Sequence, residues 1–163
     1  MASFKRELDT LNDTAESNLL DQLVGIDPSR RYVLFADDNP AILSLISVFM
    51  QSHGLNNFIL SENINSAMSV IKKLNGGFHH IIGFAVLDID FGVMGGNVND
   101  LIKILLDKNV PVIVYSALNN WKKYINADLI DKITYISKGN TKSLSLIYEK
   151  VIQEFALESV NAK

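Results

Sequence analysis

The chain has 163 residues, 48% hydrophobic and 20% charged, with a formal charge of -3 and no cysteine. That length suits one domain with a substantial core and is short for two, and the absence of cysteine excludes disulfides, thiolate catalysis and sulfur-ligated metal. The acidic balance argues against direct nucleic-acid binding, which needs clustered Lys and Arg; with no signal-peptide core at the start and no apolar run of membrane-spanning length, a cytoplasmic protein without membrane insertion is expected.

Residues 1–24 place Phe4, Leu8, Leu11, Ala15, Leu19 and Leu23 three or four apart, the stripe of an amphipathic helix, with Gly25 as its stop. Such a helix packs on its own domain or serves as a dimerisation or docking element. Residues 25–31, GIDPSRR, read as a linker. From Tyr32 the pattern changes to a compact β-rich run, YVLFA, which ends at Asp37, Asp38, Asn39 and Pro40. Pro40 suits the first turn of a helix, predicted over 41–53 and closed by Gly54. A short strand is predicted over 58–60 and a helix over 63–74, capped by Asn75, Gly76 and Gly77.

Residues 81–94, IIGFAVLDIDFGVM, form an apolar run without helical period that stops at Asp88 and Asp90 before a glycine-rich loop. A strand buried on both faces is expected there, carrying an acid at its open end. A helix over 97–107 follows, then the buried strand VPVIVY over 110–115 ending at Ser116. After it come a less regular helix over 119–129, a strand over 133–136 ending at Ser137 and Lys138, and a closing helix over 141–158. Strands alternating with helices predict an α/β fold with one parallel sheet and helices on both sides. The divisions are an N-terminal helical extension and linker at 1–31, the main domain at 32–158 and a tail at 159–163.

Parallel strands bring their carboxyl ends to one edge, where ligands and chemistry collect. The strand ends supply Asp37 and Asp38, then Asp88, then Ser116, then Lys138. Three neighbouring carboxylates repel and hold protons unless a cation sits among them, and Mg²⁺ suits a site of few carboxylates completed by water. A divalent cation, a hydroxyl and a lysine are also what a transferring phosphoryl group needs around its oxygens, with Asp88 free to act as nucleophile. Each residue alone has a plainer role as turn former, helix cap or solvated side chain. Their conjunction at four separate strand ends favours chemistry. His79 and His80 are expected at a strand entrance away from this edge, and they and His53 read as loop residues.

With these residues in place, the stretch from Tyr32 to Phe155 resembles a response regulator receiver domain of two-component signalling, similar to the chemotaxis-type single-domain members. The resemblance implies a flavodoxin-like doubly wound (βα)5 fold with a five-stranded parallel sheet in the order 2-1-3-4-5, plus the extra N-terminal helix. It implies Asp88 as phosphoacceptor and Asp37, Asp38 and Asp88 as Mg²⁺ ligands, Asp38 the more direct of the first pair, with the backbone carbonyl of Asp90 completing the set. Ser116 matches the switch hydroxyl, followed by the small Ala117; Lys138 matches the family's lysine and Tyr135 its switch aromatic. Met94 and Gly96 fit the loop after the phosphoacceptor.

The implied partners are a histidine kinase or histidine phosphotransfer protein, a downstream protein target, and a second copy through the N-terminal or C-terminal helix. Because the closing helix is followed by no DNA-binding or enzymatic segment, the expected output is a protein contact or phosphoryl relay, with no turnover beyond self-phosphorylation and autodephosphorylation. Trp121, with Lys122 and Lys123, belongs either to the readout surface or to local packing. Three features depart from the family: Phe91-Gly92 stands in place of Met-Pro, Lys138-Gly139 in place of Lys-Pro, and extra residues fall at 75–80. These departures leave a phosphorylation-independent receiver-like interaction or dimerisation module as an alternative. VLDIDFG also resembles the first motif of haloacid-dehalogenase-type phosphatases, with Asp88 as nucleophile and Asp90 as general acid. That family, however, places an acidic pair after its lysine, and here Asp37 and Asp38 precede the nucleophile.

Overall fold

Five strands whose every residue is apolar or small build the sheet: β1 Tyr32–Ala36, β2 Phe58–Ser61, β3 Ile82–Leu87, β4 Val112–Ser116 and β5 Thr134–Ser137. All are parallel, in the order β2-β1-β3-β4-β5, which is the expected order. The computed structural model describes residues 14, 16–74, 76–89 and 97–161. The features expected at Phe4, Leu8, Leu11, Ala15, Asn75, Asp90, Phe91, Gly92, Met94 and Gly96 lie outside the described residues, as do residues 162 and 163 of the tail.

The alternation of the strands sorts the core into two layers. Val33, Phe35, Phe84, Val86, Ile113 and Tyr115 face one side, where Leu43, Ile46 and Met50 of α2 (Pro40–Ser52) meet Ile147 and Val151 of α6 (Ser143–Asn161). Leu34, Ala36, Ala85, Leu87, Val112 and Val114 face the other, covered by α3 (Ile64–Lys73), α4 (Val98–Asp107) and the short α5 (Ala127–Ile130). Side chains of opposite parity point to opposite faces, so two covered faces require strands that are apolar throughout.

A further helix, α1 over residues 16–24, joins the second layer. Leu19 is buried in that core, with Leu20 and Leu23 packed against it. Gln22 pairs with the edge strand as another strand would, its amide donating to the carbonyl of Leu60 and accepting from its N–H, both at 2.8 Å. Glu16 forms an ion pair with Lys73 of α3. The N-terminal helix therefore packs on its own domain, the first of the two roles open to it.

The helix expected over 119–129 is a correction. The segment instead forms a 3-10 turn at Trp121–Tyr124 and the single α turn of α5. Trp121, Ile125 and Leu129 fall four apart, which mimics a helical stripe, but a side chain from α4 holds the intervening backbone open. Asn99 donates to the carbonyl of Tyr124 and accepts from the N–H of Asn126, so those groups are satisfied outside any helix. His79 and His80 lie in a 3-10 turn, Phe78–His80, that enters β3 away from the acidic edge, as expected, and His53 caps the C-terminal end of α2. No helix among the described residues is long and apolar enough to cross a membrane.

Candidate functional site

The sheet changes direction at β1: the chain leaves it toward β2 on one side and reaches β3 on the other, and the crevice beyond such a switch point receives ligands in open α/β sheets. Ala36 pairs with Leu87, which sets Asp37 and Asp88 side by side at that crevice, and the N–H of Asp88 donates to the carbonyl of Ala36 at 2.8 Å. One carboxylate oxygen each from Asp37, Asp38 and Asp88 lies within 4.8 Å of the others. Asp37 and Asp88 are buried, and Asp38 is exposed at the mouth.

Lys138 reaches into this cluster from the end of β5. Its Nζ donates to Asp37 Oδ2 at 2.5 Å and to Asp88 Oδ2 at 3.0 Å, so a single ammonium links two strand ends. Burial works against the charged amine, but the hydrogen bonds and charges of Asp37 and Asp88 outweigh it and hold its pKa above the ordinary lysine range. The backbone fixes the base of the side chain, since the N–H of Lys138 donates to the carbonyl of Ser116 at 2.9 Å. Asn39 anchors the other side of Asp37, its N–H donating to Asp37 Oδ1 at 2.9 Å while its own side chain caps α2 through Ala41.

Ser116 is fully buried at the end of β4, and its hydroxyl accepts from the N–H of Leu118 at 3.1 Å. Tyr135, half-buried on β5, places its hydroxyl on the same turn, donating to the carbonyls of Ser116 and Leu118 at 3.1 and 3.0 Å. Trp121 stacks on the Tyr135 ring, centroids 4.7 Å apart and planes within 8°. Trp121 thus packs locally, yet on the aromatic that touches the Ser116 turn.

The edge therefore assembles Asp37, Asp38, Asp88 and Lys138, with Ser116 and Tyr135 on the adjoining strands. Two residues not singled out in the sequence join them. The ring of Tyr115 lies under Lys138, its centroid 5.6 Å from Nζ, and the Tyr115 hydroxyl meets Ser143 Oγ at 3.1 Å. An aromatic that closes a buried strand reads as core, and only its place beside Ser116 could have flagged it.

Three oxygen donors within reach of one another are a fitting set for a hard divalent cation such as Mg²⁺. Carboxylates at two strand ends, a lysine across them and a hydroxyl nearby supply a nucleophile and donors for a phosphoryl group's oxygens.

No family model and no curated protein matches the sequence. Solved structures do match in fold. A signal receiver domain of an HD domain-containing protein from Pseudomonas fluorescens is 14% identical, covers 85% of this chain and 96% of its own, and superposes with a TM-score of 0.61. The receiver domain of a Francisella response regulator is 22% identical, covering 79% and 99%, with a TM-score of 0.58. A response regulator from Thermotoga maritima, solved in complex with Mg²⁺ and beryllium fluoride, is 20% identical over 77% and 99%, with a TM-score of 0.57. These likenesses show that the chain has the receiver fold.

Proposed function

We propose that this protein is a response regulator receiver that accepts a phosphoryl group on Asp88 from a phosphohistidine of a histidine kinase or histidine phosphotransfer protein. The observation that carries the reading is the bridge from Lys138 Nζ to Asp37 Oδ2 and Asp88 Oδ2 inside a three-carboxylate cluster. A lysine placed this way lowers the charge around Asp88 and gives an incoming phosphoryl oxygen a donor, and both effects favour attack by a carboxylate on phosphorus. Asp37, Asp38 and Asp88 would hold Mg²⁺, joined by the backbone carbonyl of Asp90. The cation's contribution is to neutralise charge on the phosphoryl oxygens.

In the transfer, an Asp88 carboxylate oxygen forms a bond to phosphorus as the phosphorus–nitrogen bond of the donor breaks. The electron pair returns to the imidazole, which leaves neutral because its other ring nitrogen carries a proton, and Asp88 becomes an acyl phosphate. Water later cleaves that bond and regenerates the carboxylate, so the chain turns over phosphate only on itself. Lys138 and Ser116 bind phosphoryl oxygens, and Tyr135 carries the change outward through its bonds to the Ser116 turn.

A donor surface adjoins the site. α2 starts two residues after Asp38, carries no acidic or basic side chain from Pro40 to Ser52, and exposes Leu45 and Val48. A phosphohistidine-bearing partner docked on that face brings its imidazole to the acidic edge, a contact that goes with a cytoplasmic setting and a protein target downstream.

Incubation with Mg²⁺ and acetyl phosphate, followed by intact mass, tests the reading. One phosphoryl group per chain is expected, absent from Asp88→Asn and from samples with the metal chelated. Steady release of phosphate from an aryl phosphate without labelled chain would contradict it and favour a phosphatase.

A further inference from the structure

Beyond the acidic edge, Tyr115 and Ser143 share a buried side-chain hydrogen bond that the proposed reaction does not use. Tyr115 is the last residue of β4 before Ser116, and it is the one side chain among Val112, Ile113, Val114 and Tyr115 that carries a polar atom. Its ring faces the α2 and α6 layer, packed with Ile113, Ile136 and Ile147. At one end the ring takes the Lys138 ammonium at 5.6 Å, within the reach of a cation–π contact. At the other, its hydroxyl shares a hydrogen bond with Ser143 Oγ at 3.1 Å. Ser143 is buried and is the first residue of α6.

We propose that Tyr115 is a positioning residue that seats the Lys138 amine and, through Ser143, transmits the state of Asp88 to the first turn of α6. The proposal rests on the phosphoacceptor reading and names a route of regulation distinct from the Tyr135 side of the sheet. The amine now answers to two carboxylates and one ring. A phosphoryl group on Asp88 moves negative charge from the carboxylate to oxygens farther out, and the amine follows it, changing its distance to the ring. Two buried hydroxyls that satisfy each other resist separation, because parting leaves both unpaired away from water. A shift of the Tyr115 ring therefore carries Ser143 with it. α6 begins at that residue and exposes Leu146 and Ile152 farther along, so the helix that receives the signal is also one that offers apolar surface.

The test uses the full chain with Mg²⁺ and beryllium fluoride as the phosphoryl mimic, reading Trp121 fluorescence and amide hydrogen exchange over residues 143–148. In the wild type both respond. In Tyr115→Phe, which keeps the ring and loses the hydroxyl, and in Ser143→Ala, the Trp121 response stays and the change over 143–148 is lost. Retention of the helix response in both variants overturns the proposal, as does loss of both responses in either folded variant, which would make Tyr115 a part of site assembly. A wild type whose Trp121 responds while 143–148 do not also overturns it, with the phosphoacceptor reading left standing. A wild type with neither response removes that reading and this one together.

Discussion

Charge governs the site at the scale of single residues. Asp37 and Asp88 are buried next to each other and share one ammonium, that of Lys138. Removing that ammonium leaves two buried carboxylates facing each other without the donor that bridges them. Lys138→Ala is therefore expected to slow labelling of Asp88 by acetyl phosphate about 10²-fold, the cost of deleting one donor aimed at developing charge, while circular dichroism stays unchanged. A different residue tests packing alone. A Cβ at Gly83 would lie 2.8 Å from Arg31 Nε and 3.1 Å from the Phe155 ring, so Gly83→Ala should lower stability by roughly 1–3 kcal/mol in urea unfolding, without abolishing labelling. The acids, Ser116 and Lys138 were legible in the sequence because each stands where an apolar strand stops. Tyr115 and Ser143 were not, since one continues the apolar run and the other looks like an ordinary residue opening a helix.

Elements differ in how much of their form the local pattern settled. The five strands and α2, α3, α4 and α6 follow from their periodicity, whereas the 119–129 segment does not. Its four-residue spacing is real, but Asn99 on α4 bonds the backbone at Tyr124 and Asn126, a tertiary contact that no local window contains. The place of α1 was equally open in the sequence, because an amphipathic stripe says that a face is buried and not against what. Its attachment through Leu19 makes Leu19→Ala destabilising by about 2–5 kcal/mol, measurable as a lower urea midpoint. The Glu16 pKa is held below its usual range by hydrogen bonds from Lys73 and Ser69. A depressed carboxylate pKa adds stability above the ordinary glutamate pKa and loses it as pH falls through the folded value. Exchange protection of α1 should thus fall in acid, with the fall reduced in Glu16→Gln. On α2, Leu45→Glu should weaken phosphoryl transfer from a phosphohistidine donor and leave labelling by acetyl phosphate intact; equal losses in both would place the defect in the site.

For the whole molecule, parallel pairing is what turns scattered sequence positions into one site. Asp37, Asp88, Ser116 and Lys138 are separated by up to 101 residues, yet four carboxyl ends on one edge bring them together. The order β2-β1-β3-β4-β5 sets the two buried acids at the reversal between β1 and β3, with Lys138 arriving from the far edge. The same topology leaves α2 and α6 on one face and α3, α4 and α5 on the other, so a change at the edge has two layers through which to reach a partner. Apolar strands alternating with helices made the parallel sheet legible in advance, while its strand order came from the family resemblance; which side chains seat the lysine and tie it to α6 depended on packing. The most direct measurement locates the phosphoryl group itself. After reaction with acetyl phosphate and Mg²⁺, borohydride reduction converts an aspartyl phosphate to homoserine, which peptide mass spectrometry places on the chain. Conversion at Asp88 is the predicted result, and conversion at Asp37 or Asp38 instead, or a phosphoryl group found on a histidine, would contradict it.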